Sequence, residues 1–276
     1  MLDETSSGYL PIGGARLYYE ISGIGPVVVL IHAGIADSDM WRDQILALET
    51  HFRVLRYDVR GYGRSELTAT WPAYSDHDDL HMLLEHLAID KVNLVTCSMG
   101  GGIALDFTLA YPELVERVVL SGGGVGRFLP PTDELRAGWQ EAETALEAGD
   151  LEAVLEVENR MWVDGPHRTP NQVDPELRER VCEMNRRIYQ NAAALDGDPE
   201  ALSLDPPASR RLNDVQAPVL VTAGALDMQH VLTIADYLAE HLPNARKVVV
   251  PDAGHMLPME QPAAFNRIVL EFLLES

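Results

Sequence analysis

An apolar strand meets the start of a helix in the stretch Val95-Thr96-Cys97-Ser98-Met99-Gly100-Gly101. A residue held in such a sharp turn projects its side chain above the edge of a sheet, and the strained turn requires small residues two positions before and after it. When Ser98 is at the centre, these positions hold Thr96 and Gly100. When Cys97 is at the centre, both positions hold bulky side chains. The stretch therefore predicts Ser98 as a nucleophile and Cys97 as its buried neighbour; a plain strand–helix turn is the alternative.

The rest of the chain, apart from its middle, alternates short apolar strands with amphipathic helices. Strand patterns occupy residues 15–22, 26–32, 53–58, 92–96, 115–121, 218–223 and 247–250. Helical patterns occupy residues 39–50, 75–88, 100–111, 231–242 and 262–274. This alternation is typical of a mainly parallel, twisted sheet that carries helices on both faces. The fold class is therefore predicted as α/β.

The segment 127–212 departs from this alternation. It contains helical patterns but no convincing strand, and residues 131–212 hold 18 acidic and 9 basic side chains. Because the strand pattern resumes directly afterwards, we predict a helical lid (a cap) inserted into one α/β core, which consists of residues 1–126 and 213–276. A second, independently folded domain is the alternative, and the segment is short for that role.

Composition and charge exclude several classes of protein. The 276 residues include 43 acidic and 21 basic side chains, which gives a net charge of −22. Such a field repels phosphate backbones and anionic membrane surfaces, so neither nucleic acid nor a membrane is an expected partner. The 2 cysteines cannot form a disulfide framework or a cysteine-rich zinc site. No apolar run is long enough to cross a bilayer and no signal peptide is visible, so we expect a cytoplasmic protein.

Ser98 needs a base, because a serine hydroxyl is a weak nucleophile. Among 9 histidines, His255 follows the last apolar strand, at the same carboxyl edge of the sheet as Ser98. The base needs an orienting carboxylate, and Asp227 follows the strand at 218–223, whereas the glycine-rich turn after the strand at 115–121 offers none. The order Ser98, Asp227, His255 is expected of a catalytic triad on a parallel sheet. A surface-loop histidine and an N-cap aspartate are the alternatives.

Acyl transfer also requires hydrogen-bond donors for the developing oxyanion. The backbone N–H of Met99 opens the helix that follows the nucleophile, and we predict it as one donor. The turn after the strand at 26–32 should supply the second, and Gly34 is the candidate because a residue without Cβ can bring backbone close to a substrate. His32 is interpreted as a brace for this loop, and a second catalytic base is the alternative.

A substrate pocket is expected between the predicted lid and the sheet edge. Its candidate walls are large side chains near the triad or in the lid: Met99, Phe128, Trp139, Met161, Trp162, Met228 and Met256. Ordinary core packing is the alternative for each of them. No His, Asp and Glu spacing resembles a catalytic metal site and no glycine-rich phosphate loop is present, so neither a metal nor a cofactor is predicted.

Several segments together resemble the α/β-hydrolase superfamily. They are His32-Ala33-Gly34 with Met40-Trp41 downstream, Arg56-Tyr57-Asp58-Val59-Arg60-Gly61-Tyr62-Gly63-Arg64-Ser65, Cys97-Ser98-Met99-Gly100-Gly101 and Ala253-Gly254-His255. The run at 51–58 is most similar to the 3-oxoadipate enol-lactonase and bacterial carboxylesterase branch. Ala33 and Thr96 depart from the family pattern, in which glycine is usual at both positions. The resemblance covers nearly the whole chain and implies the α/β-hydrolase fold, and Ser98 excludes the branches that use an aspartate nucleophile.

The resemblance implies a serine hydrolase that cleaves carboxylic ester or lactone bonds of small molecules through an acyl-enzyme. C–C or amide bond hydrolysis, a cofactor-free lyase and a perhydrolase are alternatives on the same triad, and a ligand receptor that retains the triad is another. The acidic lid should disfavour anionic substrates unless an arginine such as Arg127 or Arg160 neutralises them. The sequence leaves open the natural substrate and whether the protein is a homodimer.

Overall fold

The fold is built on one mixed, mostly parallel β-sheet in the computed structural model, which describes residues 5–67, 73–125, 129–194 and 201–275. Within these ranges the strands are β1 (Ser6–Ile12), β2 (Ala15–Ser22), β3 (Val27–Ile31), β4 (Arg53–Tyr57), β5 (Glu66–Leu67), β6 (Val92–Cys97), β7 (Val115–Ser121), β8 (Val219–Gly224) and β9 (Ala245–Val250). Their order across the sheet is β1-β2-β4-β3-β6-β7-β8-β9, with β5 paired to β2. From β4 to β9 all neighbours run parallel, which confirms the predicted class.

Alternate residues of the central strands point to opposite faces of the sheet, and helices cover each face. In β3, Val29 and Ile31 pack in one buried cluster, and Val28 and Leu30 pack in the other. The first cluster includes residues of α2 (Asp76–His86), α3 (Met99–Ala110) and α7 (Gln229–His241). The second includes residues of α1 (Arg42–Leu48), α8 (Leu257–Glu260) and α9 (Pro262–Leu273). Burial on both sides explains why β3 is a continuous apolar run.

The strand β1 at one edge of the sheet has no counterpart in the sequence prediction, which places no strand before residue 15. It forms an antiparallel hairpin with β2. Of its residues only Leu10 is buried, and Pro11 interrupts any alternation. A mostly exposed edge strand lacks the apolar pattern that identifies a core strand, so the sequence carries little signal for it.

Helices occupy the chain between β7 and β8. They are α4 (Asp133–Glu147), α5 (Leu151–Asn159) with a π-helical turn at Arg160–Asp164, and α6 (Pro175–Ala193). We call Asp133–Ala193 the helical insertion. Its helical content agrees with the prediction, whereas the domain boundaries and the role of a lid remain predictions. Neither these helices nor any other in the described ranges is long and apolar enough to cross a membrane.

The helix α3 approaches strand β3 closely at Gly100. A Cβ on this residue would lie 2.4 Å from the carbonyl oxygen of Ile31 and 2.9 Å from that of His32. We expect Gly100→Ala to lower the free energy of unfolding by about 2–3 kcal/mol, because backbone must move. Gly102→Ala is the matched control, since its Cβ would meet only the Gly124 oxygen, at 3.8 Å, and alanine favours the helix. Urea unfolding measures both, and equal midpoints would contradict the prediction.

Candidate active site

Ser98 occupies a strained turn between β6 and α3. Its backbone has φ 51° and ψ −113°, and positive φ is uncommon for residues other than glycine. The Ser98 N–H donates to the carbonyl of Ser121 at 2.8 Å, and the Gly101 N–H donates to the Ser98 carbonyl at 2.9 Å. Strain that the surrounding structure maintains in this way is typical of functional residues. The turn leaves Ser98 partly exposed at the carboxyl edge of the sheet.

The two residues before Ser98 are buried and chemically quiet. Cys97 is fully buried, and burial raises the pKa of its thiol far above the usual range. It therefore carries no thiolate near neutral pH, which fits its prediction as a buried neighbour. The Thr96 hydroxyl donates to the carbonyl of Val119 at 2.9 Å. This bond satisfies the buried hydroxyl and explains how threonine is accommodated two positions before Ser98.

Three side chains from separate strand ends form a chain of hydrogen bonds. Ser98 Oγ lies 2.9 Å from His255 Nε2, and His255 Nδ1 lies 2.9 Å from Asp227 Oδ2. Because an ionised carboxylate only accepts, His255 Nδ1 donates to Asp227, and Nε2 of the neutral ring then accepts from the Ser98 hydroxyl. Asp227 is 1% exposed and His255 is 4% exposed. The structure therefore brings together the three residues predicted as a triad.

The loops that carry Asp227 and His255 are fastened to one another. The Leu226 N–H donates to the carbonyl of Ala253 at 2.8 Å, which joins the two loops beside the Asp227–His255 hydrogen bond. The second oxygen of Asp227, Oδ1, accepts from the Met228 N–H at 2.7 Å. Protein hydrogen bonds thus hold both the carboxylate and the spacing of the loops, as a preorganised site requires.

The turn after β7 passes next to the imidazole. Gly122 has φ 65°, and a Cβ on it would lie 3.2 Å from both Cε1 and Nδ1 of His255. A side chain at this position would therefore press on the ring. This contact is a physical reason why the end of β7 carries glycine, while the carboxylate comes from the end of β8.

His32 and Gly34 shape the loop after β3, beside Met99. His32 is fully buried, and its Nε2 accepts from the Val59 N–H at 3.0 Å, so Nδ1 donates to the Ala33 carbonyl at 2.9 Å. These two bonds join the loop after β3 to the chain after β4, as expected of a brace, and burial lowers the pKa of His32, which favours the neutral ring. A Cβ on Gly34 would lie 3.6 Å from Met99 Cβ, so the two residues are adjacent. Among the described residues, neither the Gly34 N–H nor the Met99 N–H has a hydrogen-bond partner.

A cavity of about 680 Å³ opens above Ser98 and His255. Three predicted wall residues line it: Met99 at the start of α3, Trp139 on α4 and Trp162 in the π-helical turn. The Trp162 ring packs against the His255 ring with centroids 4.7 Å apart. Further apolar surface comes from residues that the sequence did not predict: Leu129, Leu135, Val231 and Ile234. Val231 and Ile234 share a helical face by spacing, but the sequence carries no signal that this face meets the cavity.

The other three methionines predicted as walls do not line this cavity. Met161 and Met228, 6% and 3% exposed, pack with one another behind the wall. Met256 is fully buried in the cluster between the sheet and the helices α1, α8 and α9. Core packing therefore accounts for all three. Phe128, the remaining predicted wall residue, lies outside the described residues.

The described wall of the cavity contains no Asp, Glu, Lys or Arg side chain. Arg160, a candidate counter-charge for anionic substrates, instead pairs with Glu141 at 2.6 Å, with both side chains about half exposed. Arg127 lies outside the described residues. His230 also lines the cavity, and burial lowers its pKa, which favours the neutral ring near pH 7. Nor does any group of three or more His, Cys, Asp or Glu side chains in the described ranges have an arrangement that could hold a metal ion.

The fold and this set of strand-end side chains define a class of protein. The chain belongs to the alpha/beta hydrolase fold family, whose sequence model matches residues 26–262. It is 30% identical over 264 residues to a protein of Caulobacter sp. (strain K31) provisionally named carbamate hydrolase RutD, covering 93% of this chain and 95% of that protein. It is 29% identical over 269 residues to the 2-hydroxy-6-oxononadienedioate/2-hydroxy-6-oxononatrienedioate hydrolase of Burkholderia vietnamiensis, covering 94% and 91%.

Solved structures show the same relationship. The crystal structure of the enol-lactonase from Burkholderia xenovorans LB400 matches with a TM-score of 0.77 at 25% identity. The match covers 97% of this chain and 100% of that one. The resemblance to the enol-lactonase branch of the family is thereby confirmed.

Proposed function

We propose that this protein is a serine hydrolase that cleaves carboxylic ester or lactone bonds of small, neutral, largely apolar molecules. The observation that carries the proposal is the unbroken hydrogen-bonded chain from Ser98 through His255 to Asp227 at the floor of an apolar cavity. The similarity to an enol-lactonase supports an ester-type carbonyl as the group attacked. The cavity volume of about 680 Å³ suits a small molecule.

In the proposed reaction, Ser98 Oγ attacks the carbonyl carbon while its proton moves to His255 Nε2. His255 then gives this proton to the leaving alkoxide as the C–O bond breaks, which leaves an acyl group on Ser98. A water molecule that His255 deprotonates attacks the acyl carbon, and collapse of the second intermediate releases the acid and restores Ser98. Asp227 stays ionised throughout and holds the imidazole proton on Nδ1.

The oxyanion hole is assigned to the N–H groups of Gly34 and Met99. Both donors are uncommitted among the described residues, and Met99 opens α3, where the helix dipole favours negative charge. Each such donor typically lowers the barrier by about 3 kcal/mol. The helical insertion is assigned the role of a lid, because Trp139 and Trp162 extend its apolar surface over the cavity.

C–C bond hydrolysis is the second candidate, because a relative at 29% identity is named for that type of substrate. By its name, that substrate carries two carboxylates, and the described cavity wall holds no cationic side chain to pair with them. Burial of an unpaired carboxylate costs several kcal/mol, so the ester or lactone hypothesis takes precedence. The carbamate hydrolase relative adds carbamates and amides to the substrates worth testing.

The substrate class leads to a direct comparison of two esters. We expect kcat/KM for p-nitrophenyl butanoate to exceed that for p-nitrophenyl hemisuccinate about 100-fold, because the hemisuccinate places a carboxylate where the butanoate has a methyl group. The methyl ester of the hemisuccinate lacks the charge but is no smaller, so it controls for size. It should recover most of the lost kcat/KM. Equal kcat/KM for the charged and neutral esters would contradict the neutral substrate class while leaving the serine mechanism intact.

A further inference from the structure

A largely buried ion pair joins the helical insertion to the end of α8, the short helix that follows the loop of His255. Arg168 Nη1 lies 2.6 Å from Glu260 Oε2, and the two side chains are 11% and 6% exposed. The other oxygen of Glu260, Oε1, accepts from the Gly254 N–H at 3.0 Å. Because Gly254 directly precedes His255, one carboxylate connects the arginine to the backbone of the triad histidine.

The same arginine also fixes the turn that presents Trp162 to the site. Arg168 Nε donates to the carbonyl of Asp164 at 2.8 Å, and Nη2 donates to the carbonyl of Val163 at 2.7 Å. These are the two residues that follow Trp162, whose ring packs against His255. These contacts therefore form a closed series. Glu260 and Arg168 connect the backbone beside His255 to the turn of Trp162, and the Trp162 indole packs against the His255 imidazole.

The geometry of these contacts requires an arginine at position 168 and a glycine at position 254. Each nitrogen of the Arg168 guanidinium has an acceptor, and a lysine has one nitrogen and cannot reproduce the three directions. A Cβ on Gly254 would lie 2.4 Å from Arg168 Nη2 and 3.0 Å from Glu260 Oε1, so glycine leaves the space that the pair occupies.

We propose that Arg168 and Glu260 are positioning residues for the hydrolysis proposed above, on which this inference rests. Together they fix the position of His255 Nε2 relative to Ser98 Oγ and link this position to the helical insertion. Neither residue is among the described residues that line the cavity, so both act through His255 and Trp162. A displacement of about 1 Å at a catalytic group can lower a rate about 100-fold, which is the scale of effect expected here.

The test is a double-mutant cycle of Arg168→Met and Glu260→Gln, assayed with p-nitrophenyl butanoate well below the unfolding temperature of each variant. Glutamine keeps an acceptor for the Gly254 N–H but removes the charge that pairs with Arg168. We expect each single change to lower kcat about 10- to 100-fold and to leave KM within about threefold. The double variant should lose no more than the worse single variant, because the two residues act as a unit. Arg168→Lys keeps the charge and should recover part of the loss.

Arg60→Met is the matched control. Arg60 also forms a buried ion pair, with Nη2 2.7 Å from Asp79 Oδ1 of α2, and its Nη1 donates to the carbonyl of Gly13 at 2.6 Å, so these contacts involve neither the π-helical turn nor the loop of His255. We expect it to lower the unfolding temperature as Arg168→Met does and to keep kcat within about threefold. Equal losses of kcat in both variants, additive losses in the cycle, or wild-type kcat in Arg168→Met would overturn the positioning role alone. If the wild-type protein shows no turnover that is lost in Ser98→Ala, the proposed function is overturned, and this inference is overturned with it.

Discussion

Ser98→Ala is expected to lower kcat/KM for p-nitrophenyl butanoate by about 10⁵-fold or more, because the members of a triad act as a unit. Alanine removes the Oγ that lies 2.9 Å from His255 Nε2, and no acyl-enzyme can then form. The remaining rate reflects the cavity and the oxyanion donors alone. In other serine hydrolases this remaining rate still exceeds the rate of the reaction in water by about 10³- to 10⁴-fold. Steady-state kinetics and a rapid-mixing search for an initial burst of p-nitrophenolate measure both effects.

Cys97→Ala is the matched control for this experiment. It changes the adjacent residue, whose thiol is buried and protonated, so kcat/KM should stay within about threefold of wild type. Thermal unfolding of both variants shows that the fold is retained. Turnover by Ser98→Ala at the wild-type rate would refute the serine mechanism, and loss of activity in Cys97→Ala alone would move the nucleophile to the thiol.

Ser98, Asp227 and His255 could be proposed as a triad from the sequence because each follows the carboxyl end of a parallel strand. Apolar runs without alternation identify β6, β8 and β9, and the carboxyl ends of parallel strands meet at one edge of the sheet. Ser98, Asp227 and His255 are far apart in the chain, yet the shared carboxyl edge of the parallel strands places them on the same side of the sheet. The same logic located the loop of Gly34 at the end of β3.

The cavity walls could be predicted only in part, because neighbours in sequence point in different directions. Met228 directly follows Asp227 and Met256 directly follows His255, but both methionine side chains are buried in the interior. Met161 and Trp162 are adjacent in the π-helical turn, where the wider turn shifts the helical phase. A period of 3.6 residues therefore does not show which of the two meets His255.

The ion pair of Arg168 and Glu260 could not be predicted from the sequence at all. The two residues are 92 positions apart, and their contact depends on how the helical insertion docks on the core. Neither residue stands in a motif that indicates a partner, and surface ion pairs look the same in sequence as buried ones. Only packing of the π-helical turn against the loop of His255 brings them together.

The substitution Asp227→Asn is expected to lower kcat/KM about 10⁴-fold near neutral pH, by forcing the wrong tautomer on His255. The Met228 N–H donates to Asp227 Oδ1 at 2.7 Å, so in the variant it selects the amide oxygen for that position. The amide NH₂ then replaces Oδ2, which lies 2.9 Å from His255 Nδ1, and donates to that nitrogen. Since Nδ1 must now accept, the proton of the neutral ring moves to Nε2, which can no longer accept from Ser98.

Asp252→Asn separates this tautomer effect from a general effect of charge. Asp252 is an exposed carboxylate three residues before His255, and its substitution removes an equal negative charge from the loop that carries His255. We expect kcat/KM within about twofold of wild type for Asp252→Asn, and unfolding temperatures near wild type for both variants, because the amide matches the carboxylate in shape. Retention of more than about a tenth of the wild-type kcat/KM by Asp227→Asn would show that this carboxylate does not set the tautomer. A difference of several orders of magnitude between the two variants is what the tautomer mechanism requires, since charge alone would change both activities alike.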